Sequence, residues 1–518
     1  MMHQCLRSAL RYYSIVVRSP LSQNNKSQMN NIYEQVWSGL SEYGDRVALS
    51  CLQTGKSIKY SKLKELSTNM AYWLQENTTV EDHTPKVATV LPNSIELAIS
   101  ALGALEGGVP IELLNPDYTS VELSVALSVG KPKFVITTSD RVHKLLEAMS
   151  LSEVNVKIVT VDDEITFSKV IDFDELIRER GEVNKERTKQ GGIVMYNDGE
   201  ARKISEKNII ANCLQISQPE LSPLEPGDKM AGVIPMWNCH GLTHTLLRGL
   251  KSGAEIVTMP RSQPSQILNV VNKNKINVLP ALSSMIDWLS NCNKEALAGL
   301  KCITVSGRPS SLADRLGSIF RGEILHTYGP AEGPLLFQQR RGAVRRPGSV
   351  GQLLPETEAR ITGPDGSHDL PHNVIGELWV RGPQLGDGEL WTSTGDQGYY
   401  DKDGWFYITD QAEMNVDGLK ISPTELESVL KEYENILEAA VFIADKQLIA
   451  AIVPSDPYHP PSCKDLNLHL GNKLAPYKHI NDVVIMSSLP KDKTGQVDRK
   501  HLSKNYNSNR EMASLNYI

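Results

Sequence analysis

Short apolar runs and helix signals alternate through the first part of the chain. Apolar runs predict strands at residues 86–91, 111–114, 133–138 and 156–161. After the first run, Asn93 or Ser94 is the predicted N-cap of a helix that continues to about Glu106. Strands that alternate with helices are typical of a mostly parallel sheet covered on both faces. We therefore expect an α/β fold.

The pattern changes three times further along the chain. A charged stretch at 178–189 predicts a solvated linker before a second apolar α/β unit at about 191–320. Short strands separated by Gly and Pro at about 348–408 predict a small β unit. The last hundred residues or so have the pattern of a separate α+β domain. Its first helix is signalled by a capping box at 422–425, with Ser at the N-cap, Pro at N1 and Glu at N3.

Composition excludes several classes of protein. The 518 residues include 54 Lys+Arg and 61 Asp+Glu, giving a net charge of −7, and 40% are hydrophobic. This balance argues against intrinsic disorder and against a polybasic nucleic-acid binder. No apolar run approaches the roughly 18 residues of a membrane-spanning helix. Four arginines, at 340, 341, 345 and 346, form a basic cluster that we interpret as a solvated loop, so no nucleic-acid partner is expected.

The seven cysteines are scattered, without a Cys-x-x-Cys pair. This spacing indicates neither a zinc site nor a disulfide framework, and it fits a reducing compartment. Cys239 stands beside His240 in an apolar segment. Its two interpretations are a thiolate nucleophile and a buried small hydrophobic residue, and the second is favoured.

The first 33 residues carry Arg7, Arg11, Arg18 and Lys26 and no carboxylate. Arginines spaced in this way predict a mitochondrial presequence that makes no core contacts in the mature fold. The alternative is a disordered N-terminal arm on a cytoplasmic or peroxisomal protein. The final Asn-Tyr-Ile is not a peroxisomal signal.

Several motifs resemble the adenylate-forming acyl-CoA synthetase (AMP-binding) superfamily. They occur in the family's order at Tyr328–Glu332, Gly376–Gly382, Thr394–Asp396, Gly418–Glu425 and Pro490–Arg499. Other segments are most similar to the oxalate and peroxisomal CoA ligase branch. These are Leu114–Tyr118, His240–Leu242, Arg346–Gly351 and Thr394–Asp401.

The resemblance implies a fold and a reaction. Residues 34–410 would form a large N-terminal domain of three subdomains, two parallel-sheet α/β units and a small β unit. Residues 411–518 would form a small α+β lid that rotates about a hinge near Asp410 and Gln411. In such families a carboxylic acid attacks the α-phosphate of MgATP, giving an acyl-adenylate and pyrophosphate. The thiolate of CoA then displaces AMP.

The resemblance also assigns roles to residues. The positions are Tyr328 and Gly329 at adenine, Asp396 at the ribose, Glu332 at Mg²⁺, Gly199 and Lys203 at the phosphates, Asn238, His240 and Gly241 in the acyl pocket, Gly418 and Lys420 on the CoA side of the lid, and Gln411 and Gln496 in the adenylating machinery. The chemistry suits these roles. A carboxylate accepts two hydroxyl donors, an aromatic face suits a purine, and Mg²⁺ prefers oxygen ligands.

Several of these positions depart from the family's motifs. The phosphate-loop segment 196–203 is about five residues shorter than the family's Ser/Thr/Gly-rich loop. It also places Asp198 and Glu200 where polyphosphate should lie. Like charges about 4 Å apart repel by about 4 kcal/mol at an effective dielectric near 20. Gln411 replaces a family arginine and Gln496 a family lysine.

A further departure, Ala331 in place of a family threonine, falls on the same half-reaction. Two hypotheses therefore stand. The first is a protein impaired in adenylation that binds an adenylate, AMP or an acyl-CoA as a sensor or as a partner subunit of another protein, with a purely structural role as its limiting form. The second is an active acid:CoA ligase with an altered ATP grip.

Overall fold

The computed structural model describes most of the chain. The described residues are 16–21, 36, 43–78, 87–162, 170–184, 191–197, 200–259, 264–307, 313–330, 333–363, 368–410, 414–416, 419–490, 497–499 and 501–507.

The strands in chain order are β1 (Val17–Arg18), β2 (Val47–Cys51), β3 (Ser57–Lys59), β4 (Val87–Val90), β5 (Ile111–Leu113), β6 (Phe134–Thr137), β7 (Lys157–Thr160), β8 (Val170–Asp172), β9 (Gly192–Asn197), β10 (Glu200–Ser205), β11 (Lys229–Gly232), β12 (Glu255–Thr258), β13 (Val278–Leu282), β14 (Cys302–Ser306), β15 (Glu323–Tyr328), β16 (Phe337–Gln338), β17 (Gln352–Leu353), β18 (Glu358–Thr362), β19 (Gly376–Arg381), β20 (Thr392–Tyr400), β21 (Phe406–Asp410), β22 (Met414–Val416), β23 (Leu419–Ile421), β24 (Ile436–Ala444), β25 (Gln447–Pro454) and β26 (Asp482–Ile485).

The α-helices are α1 (Tyr60–Asn77), α2 (Ile95–Gly107), α3 (Ser120–Gly130), α4 (Val142–Ser152), α5 (Phe173–Leu176), α6 (Glu206–Ile216), α7 (Arg248–Lys251), α8 (Pro264–Lys273), α9 (Ile286–Ser290), α10 (Lys294–Leu297), α11 (Ala313–Ile319), α12 (Pro423–Lys431) and α13 (Cys463–Gly471). A π-helix at Gly241–Leu247 runs directly into α7, and 3₁₀ turns lie at Ser139–Arg141, Ser283–Met285 and Pro476–Lys478.

The first sheet confirms the βαβ prediction. Its described strands follow the order β10-β9-β5-β4-β6-β7-β8, and all neighbours except β9 and β10 are parallel. Strands β4 to β7 coincide with the four predicted apolar runs within one residue at most ends. Helix α2 begins where expected, because the Ser94 side chain accepts a hydrogen bond from the Leu97 amide. The α/β fold class is therefore confirmed.

The boundary between the two α/β units differs from the prediction at Gly191. Strands β9 and β10 follow that residue but belong to the first sheet. Conversely, β2 and β3 lie early in the chain but form one edge of the second sheet, whose order is β17-β16-β15-β14-β13-β11-β12-β2-β3. The largest apolar core draws on α1, α2, α6 and strands of both sheets. Local periodicity identifies strands but not their partners, so this exchange was not predicted.

The third sheet confirms the small β unit and corrects one expectation about the N-terminus. Its order is β1-β18-β19-β20-β21. Strand β1 pairs with β18, Val17 packs against the apolar core of this unit, and Arg18 forms an ion pair with Glu358 at 2.7 Å. The expectation that residues before 34 make no packing contacts is therefore wrong for 16–21. The remainder of the predicted leader, 1–15 and 22–33, lies outside the described residues.

The C-terminal unit has its own sheet, β24-β25-β26, and no described strand after residue 411 pairs with one before it. Ser422 caps α12 as predicted, accepting from the Glu425 amide at 3.3 Å. The Glu425 carboxylate binds the Lys478 ammonium at 2.7 Å. Lys478 also contacts Glu122 of α3 at 2.9 Å, so it bridges the C-terminal unit to the first sheet's layer of helices.

This bridge is buried, since Lys478 is 3% and Glu122 is 7% exposed. Burial alone would lower the pKa of Lys478, but Glu122 and Glu425 outweigh it and raise that pKa. The lysine therefore stays charged.

Among the described residues, no helix combines the length and the hydropathy needed to cross a membrane.

Candidate functional site

Two residues assigned to the nucleotide meet where the second and third sheets adjoin. Tyr328 ends β15, and Asp396 lies within β20. The Tyr328 hydroxyl donates to Asp396 Oδ2 at 2.7 Å. The Asp396 amide in turn donates to Thr394 Oγ1 at 3.1 Å, which fixes the backbone at the start of this motif. The fold thus brings the adenine and ribose positions into direct contact.

The Tyr328–Asp396 pair is almost fully buried. Tyr328 is 1% exposed and Asp396 is 6% exposed. The Tyr328 ring lies 6.3 Å from the Phe337 ring, centroid to centroid. Stacking of Tyr328 on adenine stays a prediction, and it requires the side chains around the ring to move. Gly329 follows in a tight passage, because a Cβ there would lie 2.5 Å from the Pro334 carbonyl oxygen.

The phosphate-loop segment forms a hairpin. Strands β9 and β10 pair antiparallel from Gly192↔Ser205 to Asn197↔Glu200, so two residues connect them. Those two, Asp198 and Gly199, lie outside the described residues. Asp-Gly between paired strand ends is the sequence signal of a two-residue hairpin loop. The sequence carries this signal, and the hairpin was not among the predictions because the segment was compared only with the family's loop. Lys203 lies on β10 and is exposed.

The acyl-pocket positions lie at the start of the π-helix. Asn238 Oδ1 accepts from the His240 amide at 2.7 Å. Gly241 is required by packing, since a Cβ there would lie 1.9 Å from the Pro235 carbonyl oxygen. His240 Nε2 lies 2.9 Å from Ser306 Oγ, and Ser306 Oγ lies 3.0 Å from Thr327 Oγ1. The structure thus adds two hydroxyls, at the ends of β14 and β15, that no sequence motif singled out.

His240 is neutral in this setting. Burial, followed by the charge of Arg248, lowers the pKa of His240 to about 3. A neutral imidazole exchanges a hydrogen bond with Ser306 without adding charge. The neighbouring thiol is inert, because Cys239 is fully buried and burial raises its pKa to about 12. This confirms the interpretation of Cys239 as a buried hydrophobic residue.

His244 and Arg248 follow His240 at intervals of four residues on the same helical segment, and neither was predicted as a site residue. His244 and Arg248 are both 0% exposed. Arg248 Nε donates to the His244 carbonyl oxygen at 3.1 Å, and Arg248 Nη2 lies 3.5 Å from His244 Nδ1. Their spacing, four residues apart after His240, was the available signal, because such residues neighbour one another on a helix.

The remaining predicted site residues cannot be placed. Gly199, Glu332, Gln411, Gly418 and Gln496 lie outside the described residues, as does Ala331. Lys420 is described only as part of β23, and its side chain is not. Within the described ranges no group of three or more His, Cys, Asp or Glu side chains could hold a metal ion. The Mg²⁺ assignment to Glu332 stays a prediction.

Comparison with known proteins identifies relatives over nearly the whole chain. Residues 36–196 and 203–388 match the AMP-binding enzyme family, and residues 425–496 match the AMP-binding enzyme C-terminal domain. The first match leaves out 197–202, the turn of the β9–β10 hairpin and the start of β10. The chain is 27% identical to the 4-coumarate–CoA ligase-like 6 of Arabidopsis thaliana, covering 89% of this chain and 88% of the relative. It is 24% identical to a long-chain-fatty-acid–CoA ligase of Bacillus subtilis, covering 89% and 92%.

Solved structures share the fold. The amide bond synthetase McbA from Marinactinospora thermotolerans superposes with a TM-score of 0.76 at 19% identity, covering 92% of this chain and 99% of that one. The o-succinylbenzoate CoA synthetase MenE from Bacillus subtilis superposes with a TM-score of 0.73 at 21% identity, covering 91% and 98%. At these identities the likeness establishes the large α/β domain and the small C-terminal domain.

Proposed function

Since the chain belongs to the AMP-binding enzyme family, we propose that this acyl-CoA ligase-like protein binds an adenosine nucleotide and an acyl group but is impaired in ATP-dependent adenylation. The observation that carries the proposal is the β9–β10 hairpin. Its strands are paired up to Asn197↔Glu200, so two residues replace a loop that would have to surround the β and γ phosphates. Backbone amides already paired between strands are not available to cradle polyphosphate.

Sequence departures outside the hairpin act on the same step. Gln411 and Gln496 are neutral where the family has cations, and Ala331 lacks a hydroxyl. Losing one preorganised donor to a developing charge typically lowers a rate by about 10²–10³. The effects of the three departures on the rate are not additive. The resemblance implies that these groups act on the α-phosphate or set the lid during adenylation, whereas displacement of AMP from an existing acyl-adenylate makes no use of pyrophosphate contacts.

The adenosine side supports retained binding. Asp396 and Tyr328 keep their motif positions, and their hydrogen bond orients the carboxylate. A carboxylate held in this way accepts hydroxyl donors with little loss of side-chain freedom. On the acyl side, neutral His240 at the start of the π-helix and the Ser306 hydroxyl at the end of β14 lie 2.9 Å apart, and together they would orient a carboxyl group without repelling it.

We expect AMP to bind at least as tightly as MgATP, because the adenosine contacts are kept and the polyphosphate contacts are lost. The Asp396→Ala variant should weaken AMP binding by about 1.5–3 kcal/mol, the range for hydrogen bonds to a charged acceptor. Titration calorimetry measures both. Asp403→Asn is the matched control, since that carboxylate pairs with Arg346 at 2.6 Å and lies outside the site. MgATP binding tenfold tighter than AMP would contradict the proposal.

The alternative is an active acid:CoA ligase with an altered ATP grip. It is favoured by the names of the relatives, which are CoA ligases. Acid-dependent exchange of pyrophosphate into ATP separates the two, because the impaired protein should show little or none. Turnover of about 1–10³ s⁻¹, the ordinary range for enzymes, would establish the alternative.

We also propose a mitochondrial location. The arginine-rich, acid-free N-terminus supports it. Strand β1 limits where a leader could be cut, because removing Val17 and Arg18 would strip an edge strand from the third sheet. A C-terminally tagged full-length chain is expected to enter mitochondria and be cleaved before residue 16. Retention of the uncleaved chain in the cytosol would contradict this.

A further inference from the structure

Helix α3 carries a row of exposed valines. Its sequence repeats Ser-Val every four residues, at 120–121, 124–125 and 128–129. Val121, Val125 and Val129 are 39%, 42% and 46% exposed. Side chains four residues apart are neighbours on one face of a helix, so the three valines form a continuous apolar row along α3.

The other sides of α3 are covered by the protein itself. Leu123 and Leu127 belong to the core that α3 and α4 form with the first sheet. Glu122 meets the C-terminal unit. Helix α4 packs alongside, where the Ser120 hydroxyl donates to Glu147 Oε2 at 2.6 Å. The valine row faces away from all three of these contacts.

The serines beside the valines leave the row apolar. The Ser124 hydroxyl donates to the Val121 carbonyl oxygen at 2.7 Å, and the Ser128 hydroxyl donates to the Ser124 carbonyl oxygen at 2.8 Å. Both hydroxyls are therefore satisfied within the helix. Leu146 and Leu151 of the neighbouring α4 are exposed as well. Apolar side chains grouped in this way on two adjacent helices, unlike single exposed ones, mark an interaction surface.

The charges at the two ends of α3 indicate what covers this surface. Lys131 follows the last turn of α3, and Glu147 lies beside Ser120 at the first turn. Both charged residues are exposed. Val125 is the middle residue of the helix. The surface is thus complementary to itself when two copies run antiparallel, because each apolar row meets the other and the ends of opposite charge come together. A parallel pairing would bring like charges together.

We propose that the valine row of α3 is the contact of a homodimer, in which α3 packs antiparallel on α3 of a second copy about a two-fold axis at Val125. A two-fold interface uses the same patch on both subunits, which this surface permits. Val121 then meets Val129 of the partner subunit, and Lys131 meets Glu147 of the partner subunit. Burial of the valines drives the association, and the charges fix its direction.

The first test is sedimentation velocity on the full chain, from about 1 μM to about 1 mM, where weak specific complexes dissociate. We expect a monomer–dimer equilibrium. Val125→Lys should raise the dissociation constant at least about a hundredfold, because it sets two like charges against each other across the axis. Lysine is a better helix former than valine, so the exposed position should tolerate it. Leu437→Lys is the matched control, since Leu437 is an exposed apolar residue of the C-terminal unit, and it should leave the constant unchanged.

The second test exploits the two-fold symmetry. Lys131→Glu and Glu147→Lys should each weaken the dimer at least about tenfold, because each places like charges together at both ends of the contact. An equimolar mixture of the two variants should dimerise again, since the mixed dimer has opposite charges at both ends. Only an antiparallel contact between these two positions gives this rescue.

Each result decides the proposal. A dimer that Val125→Lys and the two charge variants weaken, and that the mixture restores, supports it. A chain that stays monomeric throughout the range overturns it, including one that floats with phosphatidylserine vesicles through Val125, which would assign the row to a membrane surface. A dimer that Val125→Lys leaves intact, that Leu437→Lys weakens equally, or that the mixture fails to restore also overturns it. If circular dichroism shows that Val125→Lys is unfolded, the charge variants decide.

Discussion

The unfolding free energy of the unmodified protein is expected to fall by about 5 kcal/mol as the pH rises from about 4.5 to 8, and replacing Glu112 by glutamine should abolish this fall. Glu112 lies on β5, in the middle of the first sheet, and is 0% exposed. Neither carboxylate oxygen has a hydrogen-bond partner among the described residues. The carboxyl group is packed against the end of α3, since a Cβ on Gly130 would lie 2.3 Å from Oε2.

The direction follows from burial. Burial raises the pKa of Glu112 from 4.5 to about 8, so the folded state holds a proton that the unfolded state releases. The stabilisation is complete below pH 4.5 and is lost as the pH rises through about 8. Each pH unit of the interval is worth 1.36 kcal/mol, which gives the total. Glutamine cannot ionise, and the variant's unfolding free energy should change much less over this range.

Unfolding by denaturant at pH 5, 7 and 8.5 measures the difference. Glu106→Gln is a matched control, because Glu106 is 6% exposed in the same unit but its carboxylate accepts a hydrogen bond from Thr68 at 3.1 Å. That change should not flatten the profile. Parallel curves for Glu112→Gln and the unmodified protein would show that the carboxyl is not held protonated.

A longer phosphate loop, combined with Gln496→Lys, is expected to raise acid-dependent ATP–pyrophosphate exchange by at least about 10²-fold. The loop variant replaces 197–200 with a Ser/Thr/Gly-rich segment about five residues longer. It restores free backbone amides for the phosphates, and the lysine restores a cation for the α-phosphate. Gln496→Lys alone should raise the rate only modestly, because the hairpin remains.

Thioester formation from a supplied acyl-adenylate and CoA separates the half-reactions in the same set of variants. This step should change little, since it makes no use of pyrophosphate contacts. A loop variant that stays folded yet shows no gain in exchange would contradict the hairpin argument. An equal gain in both half-reactions would point to a general effect on the fold.

Much of the first unit could be predicted because local signals and tertiary structure agree there. The strand at 134–137 is a short apolar run, and Ser94 is a standard cap ahead of an apolar helix. Strand partners could not be predicted. Nothing in the pattern at 47–51 indicates that β2, with its neighbour β3, joins a sheet whose remaining strands come after residue 228, because that depends on the path of the intervening chain.

The candidate site also combines residues that the sequence predicts with residues that it does not. Tyr328 and Asp396 were predicted from motifs, and their contact is consistent with the resemblance. Arg248 was not predicted, because an arginine in the sequence of an apolar helix is expected at the surface and its burial is visible only in the packed core. The Glu425 carboxylate, expected to complete a capping box, instead pairs with Lys478, because a buried ammonium is a stronger partner than a backbone amide.

If the C-terminal unit rotates as the resemblance implies, the Lys478 bridge sets how fast it leaves the first sheet. Separation takes the ammonium from Glu122 while Glu425 keeps its own hold on it. Once apart, the freed charges are hydrated, so the ion pair itself contributes little to the difference in free energy between the docked and separated arrangements. The bridge raises the barrier to separation more than it changes that difference, because Glu122 loses its partner before water reaches it. The bridge should therefore lengthen the lifetime of the docked arrangement more than its population, and a contact this buried makes that lifetime insensitive to salt.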